Sequence, residues 1–134
     1  MCHPFGRVLY CLSLSSSLWL QAVMKQVKLN VWENNGACQS ALRQTILGKR
    51  FNLDPTALCA GGGADGADTC KGDGGGPLVC RARGAAEKSS PLPVYVQAGI
   101  VGWGIGCGED GVPGVYTDVS KVRFIHYEAS LSKK

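Results

Sequence analysis

A mostly β, single-domain fold is what this chain predicts, on three observations. Nineteen glycines and six prolines in 134 residues favour short strands joined by loops over helical bundles. Several short runs alternate apolar and polar residues, the period of a half-buried strand. Seven cysteines, with no C-x-x-C pair and only His3 and His126 as partner imidazoles, lack zinc-ligand spacing and point instead to disulfides formed in an oxidising compartment, hence to secretion. The length suits one core. An apolar share of 45% and a charged share of 18% exclude both a disordered chain and a coiled coil. The net charge of +4 is thinly spread, with Lys133 and Lys134 at the end, so nucleic acid is not an expected partner.

Residues 1–22 combine Arg7, an apolar but Ser-rich stretch from Val8 to Leu20, and the small residue Ala22. This reads either as a secretory signal or as an unrelated leader. It is too interrupted to span a bilayer, and no membrane association is expected. The folded domain is then residues 23–134. From Gln26 to Val31 the chain alternates strictly, with Val27, Leu29 and Val31 on one side, which predicts a strand. Asn34 and Asn35 offer N-caps for a short helix with Cys38, Leu42 and Ile46 on one face, and Gly48 stands where a C′ glycine ends it. Residues 81–93 read as a polar surface loop. A second alternating run follows from Val94 to Trp103, with Val94, Val96, Ala98 and Ile100 in phase. A third, Val115 to Thr117, comes after the turn signal Val112-Pro113-Gly114. The tail from Val119 to Leu131 has Val122, Ile125 and Ala129 at helical spacing, with Asp118 as a cap.

The most informative segment is Asp68-Thr-Cys-Lys-Gly-Asp-Gly-Gly-Gly-Pro-Leu-Val-Cys80, followed by Gly102-Trp-Gly-Ile-Gly-Cys107 and Gly111-Val-Pro-Gly-Val-Tyr116. Together these resemble the trypsin-like serine protease family around its nucleophile, over roughly residues 20 to 127. Residues 38–60 and 102–116 are similar to the arthropod serine protease homologues that often follow a clip domain. The resemblance implies an antiparallel barrel of the six-stranded type, the second of the family's two, incomplete on its N-terminal side and closed by a C-terminal helix. It also implies disulfides Cys38–Cys59 and Cys70–Cys107, and leaves Cys80 unpaired, because its partner belongs to an upstream part of the domain; Cys2 or Cys11 are substitutes if the leader is kept.

Where the family reads Gly-Asp-Ser-Gly-Gly-Pro, this chain reads Gly72-Asp73-Gly74-Gly75-Gly76-Pro77. Glycine has no side-chain atom with which to attack a carbonyl, so acyl transfer through Gly74 is chemically impossible. The family's general-base His and its orienting Asp come from the missing upstream half, and neither His3 nor His126 has matching surroundings. What the resemblance leaves is a set of binding features. Gly72 and Gly74 match the oxyanion-hole donors. Asp68 matches the acidic floor of the specificity pocket, with Gly104 and Gly114 at its walls, which would admit a basic side chain; the competing reading is a solvated loop acid among turn glycines. Asp73 matches the residue that pairs with a newly cut N-terminus, and without that terminus a collapsed pocket is expected.

No metal or cofactor is expected. The resulting function is that of a secreted pseudo-protease, a binding or regulatory partner of proteases or of prophenoloxidase-type components in extracellular immune cascades. Two alternatives stand beside it: a serine endopeptidase, by family label, and a truncated product without function of its own. The loss of the companion barrel is also expected to expose an apolar face and open strand edges.

Overall fold

The computed structural model describes residues 8–9, 26–33, 35–82 and 92–122. Its elements in chain order are β1 (Val8–Leu9), α1 (Asn35–Leu42), β2 (Ala57–Ala60), β3 (Pro77–Arg81), β4 (Tyr95–Trp103) and β5 (Gly114–Asp118). All strand pairs are antiparallel, in the order β1-β3-β4-β5-β2. The sheet is open, the partial barrel implied by the sequence, and a helical turn begins at residue 119 after β5. The remainder of the expected terminal helix, with Ile125 and Ala129, lies outside the described residues, as do most of the 81–93 loop and most of the 1–22 leader.

Two apolar clusters hold the sheet. One gathers Leu29, Val31, Ala60, Leu78, Cys80, Val101 and Tyr116. The other joins Cys38 and Leu42 of α1 to Ala57, Cys59 and Val115. Residues 26–31 keep the expected alternation, with Leu29 and Val31 buried and Gln26, Lys28 and Asn30 exposed. Among the described residues the bridge they make is Val31 to Ala60 rather than a ladder, because β2 offers only four residues and already pairs with β5 along its other edge.

Two expectations are corrected by packing. Ile46 is 89% exposed, because α1 stops at Leu42 and the following residues run as turns closed by the Gly48 N–H donating to the Thr45 carbonyl. In β4 the buried positions are Gly99 and Val101, while Val96 and Ile100 face solvent. Gly99 falls on the crowded side because a Cβ there would stand only 3.1–3.3 Å from the side chains of Leu78 and Leu58. The pairing of β3 with β4 shifts register between Leu78 and Val79, next to that contact. Tyr95, Val96 and Ile100 are left exposed on β4.

Cys80 also differs from expectation. It is disulfide-bonded, to a cysteine outside the described residues. The reason is local: β1 runs antiparallel to β3 with Val8 opposite Cys80, so residues 8–9 of this chain lie against that edge. The other two bonds join Cys38 to Cys59 and Cys70 to Cys107. Among the described residues no helix is long and apolar enough to cross a membrane, and no cluster of His, Cys, Asp and Glu could hold a metal ion.

Candidate functional site

The Gly-rich loop between β2 and β3 is built from turns that only glycine satisfies, pinned at three points. Asp73 N–H donates to the Cys70 carbonyl at 3.0 Å and closes a turn in which Gly72 has φ +95°, the third-position geometry of a type II turn. Gly75 N–H donates to the Val101 carbonyl and Val101 N–H to the Gly76 carbonyl, both at 2.9 Å, lashing the loop to β4. The Cys70–Cys107 bond fixes it to the following glycine loop.

Inside the turn lies Asp73, 1% exposed. Its Oδ2 accepts the Cys70 N–H at 2.7 Å. Its Oδ1 is buried without a hydrogen-bond partner, a costly arrangement for a carboxylate oxygen.

Against this loop opens a cleft of about 450 Å³, walled by Thr69 to Gly72, Gly74, residues 101–104, Gly106 and Cys107. The Cys70 N–H bond, the two β4 bonds and the disulfide hold the loop beside this cleft. Trp103 forms part of the wall and packs edge-on against Phe51, with ring centroids 5.8 Å apart.

Gly74 lines the cleft, and a Cβ built on it would meet nothing within 4 Å. Its φ is not in the left-handed region, unlike those of Gly72 and Gly75. Neither backbone nor neighbours therefore require a glycine at position 74. The Gly72 and Gly74 N–H groups make no hydrogen bond among the described residues.

Asp68, Gly104 and Gly114 do come together: a Cβ on Gly114 would lie 3.3 Å from Asp68 Oδ1, and one on Gly104 would lie 3.9 Å from the Gly114 Cα. Only Gly104 reaches the cleft wall. The Asp68 carboxylate is turned into the backbone, where Oδ1 accepts the Thr69 N–H at 2.8 Å and Oδ2 the Gly108 N–H at 2.9 Å. Lys71, which the sequence reading passed over, is the one charged residue on the wall among the described residues. Its place beside Gly72 was the available signal.

The wall offers little for chemistry. The Thr69 hydroxyl shares a hydrogen bond with the Tyr116 hydroxyl at 3.1 Å, and the sulfurs of Cys70 and Cys107 are bonded to each other. Both histidines lie outside the described residues.

The trypsin family profile matches residues 13–125. Phenoloxidase-activating factor 2 of Galleria mellonella is 52% identical over 103 residues, which cover 77% of this chain and 31% of that protein. The inactive CLIP domain-containing serine protease A3 of Aedes aegypti is 45% identical over 100 residues, 75% of this chain and 19% of the relative. A protein of the same description from Anopheles gambiae, A8, is 41% identical over 99 residues, 74% of this chain and 24% of its own. The chain thus spans less than a third of the length of each relative. The glycine loop, its disulfide and the matched span agree: the chain belongs to the trypsin family.

Proposed function

We propose that this chain is a catalytically inactive serine protease homologue that acts by binding, as a regulatory partner in extracellular immune proteolytic cascades. The observation that carries the reading is Gly74. At the position resembling the family's nucleophile stands a residue with no side chain, in a place where the backbone and the open space would both accept a serine. A glycine there is not forced by folding, and it removes the side-chain oxygen that the family uses to attack. The wall's hydroxyl is hydrogen-bonded to Tyr116, its sulfurs are joined in a disulfide, and no described histidine stands beside them to act as a base. The cleft itself is kept, as a binding role needs.

Two of the relatives are named inactive serine proteases and one a phenoloxidase-activating factor, which supports both the lack of turnover and a place in an immune cascade. Disulfides support an extracellular location. The test is hydrolysis of arginine, lysine and phenylalanine ester substrates by the purified full chain. No turnover above buffer is expected, with wild type or with Gly74→Ser, because a serine without a base remains weakly nucleophilic. Ester turnover by the wild-type chain would return the endopeptidase reading.

A further inference from the structure

We propose that the double turn after α1, with Ile46 at its tip and Lys49 and Arg50 beside it, is a docking surface for an acidic segment of another protein that carries an apolar side chain. This goes beyond the non-catalytic reading above and uses no residue of the cleft wall.

Two tight turns share Gly48. The Gly48 N–H donates to the Thr45 carbonyl and the Phe51 N–H to the Gly48 carbonyl, both at 3.1 Å. Ile46 and Leu47 therefore occupy the centre of the first turn, and Lys49 and Arg50 the centre of the second. Leu47 packs on the cluster of Cys38, Leu42 and Val115. Its neighbour does not: at 89% exposure Ile46 is the most exposed large apolar side chain among the described residues.

A lone exposed isoleucine needs no explanation; what singles this one out is its bracing and its company. Arg43 Nε donates to the Phe51 carbonyl at 2.7 Å, and Arg43 Nη2 to Asn52 Oδ1 at 2.9 Å. The Thr45 hydroxyl donates to the Leu42 carbonyl at 2.6 Å and the Leu53 N–H to Gln39 Oε1 at 2.8 Å, while the Cys38–Cys59 bond closes the base. The apolar tip is thus held out in water on a loop that is already ordered, the condition under which a single anchor contributes most to binding.

Charge sets the partner's sign. From residue 34 to residue 53 the chain carries Arg43, Lys49 and Arg50 and no Asp or Glu. Arg43 is taken up by the brace. Lys49 and Arg50 are exposed, and neither makes an ion pair among the described residues. An acidic segment with an apolar residue complements both features at once. A sulfated polysaccharide would use the cations and leave Ile46 without a contact, and a bilayer calls for a wider apolar face than one side chain. At the far end of the loop Phe51 packs edge-on against Trp103, so the docked segment would lie next to the cleft without entering it.

The experiment selects a random peptide library displayed on phage against the full chain, immobilised through a C-terminal tag, in parallel with the variant Ile46→Ser/Lys49→Ala/Arg50→Ala. All three side chains are exposed, so thermal unfolding of the variant should match wild type. Peptides enriched about tenfold or more on wild type over the variant should be acidic and carry an apolar residue. For the best of them, synthesised with fluorescein, Ile46→Ser alone should weaken binding about fivefold by anisotropy. Lys49→Ala with Arg50→Ala should weaken it about as much at low salt and less at high salt. No loop-dependent peptide, loop-dependent peptides without acidic residues, or no effect of Ile46→Ser overturns the proposal. Heparin binding in place of peptide binding, lost in Lys49→Ala with Arg50→Ala and unchanged in Ile46→Ser, overturns it too, in favour of a sulfated polysaccharide. Ester hydrolysis by the same preparation would defeat the non-catalytic reading alone, so the two failures are separable.

Discussion

Two parts of this molecule are each pinned by a disulfide, and they are held together by different physics. Around Cys38–Cys59, helix α1 presses Cys38 and Leu42, both fully buried, onto Ala57, Cys59 and Val115. The order there comes from apolar burial. Around Cys70–Cys107 the half-cystines are exposed, and order comes from backbone hydrogen bonds, left-handed glycines and one buried carboxylate. The difference has a functional consequence. A packed region spends its surface on itself, whereas a wired loop leaves N–H groups without acceptors and open space at its surface, and a binding cleft can use both.

The largest test of that contrast is to cut each bond in turn. The two bonds close separations of 21 and 37 residues, for which loop closure alone gives about 3 and about 4 kcal/mol. By closure the second bond should matter more. Burial reverses the order: Cys38→Ala with Cys59→Ala also empties fully buried volume, adding about 2 kcal/mol. Urea unfolding should show the Cys38–Cys59 pair costing about 5 kcal/mol against about 4 kcal/mol for the exposed pair. The opposite order would mean that the loop region stores more of the stability than its exposed bond implies.

A smaller set of variants probes the glycines that wire the loop region. At Gly62, φ is +71° and a Cβ would stand 2.9–3.0 Å from the backbone of Val112 and Pro113, so strain and overlap combine, and Gly62→Ala should cost about 3 kcal/mol. At Gly75, φ is +85° with open space, leaving the conformational term alone, about 1 kcal/mol. At Gly74 neither applies, and Gly74→Ala should be neutral or stabilising by up to about 0.5 kcal/mol through the unfolded chain. If Gly74→Ala is as damaging as Gly75→Ala in thermal unfolding, the view of Gly74 as a residue that folding does not require is wrong.

How much of this was legible in the sequence also divides between the two regions. Alternation at Val27, Leu29 and Val31 and the spacing of Cys38 and Leu42 are local patterns, and local periodicity is enough to place buried faces. Ile46 and the β4 face failed because each depended on something non-local. The first needed the point at which α1 ends, the second the close approach of Leu78 to Gly99. In the loop region the motif showed which residues gather, but not where they point. Asp68 looks like a pocket floor in sequence; that its oxygens accept the Thr69 and Gly108 N–H groups depends on a contact across 40 positions. Cys80 failed for the same reason, since its bond depends on β1 lying along β3.

The carboxylates offer the last and smallest contrast. In the loop region Asp68 and Asp73 are held by backbone N–H donors. In the turn before β2, beside the packed region, Asp54 is held by the Thr56 hydroxyl and then by the Thr56 N–H. Those bonds, hydroxyl first, draw its carboxyl below the ordinary aspartate range, aided by Lys121, whose Nζ bonds the neighbouring Pro55 carbonyl at 2.7 Å. A depressed folded-state value means a contribution present above the unfolded-state value and lost as pH falls through the folded one, so the window lies below the usual titration of an aspartate. Because Asp54 is exposed, solvent screening keeps that contribution small. Thr56→Val removes the leading donor and keeps the backbone one. An NMR titration of the Asp54 carboxyl should then move upward part of the way toward the ordinary value, and Lys121→Ala should move it less. If Lys121→Ala gives the larger shift, charge rather than hydrogen bonding governs this corner, and the contrast between side-chain and backbone donors would not extend to it.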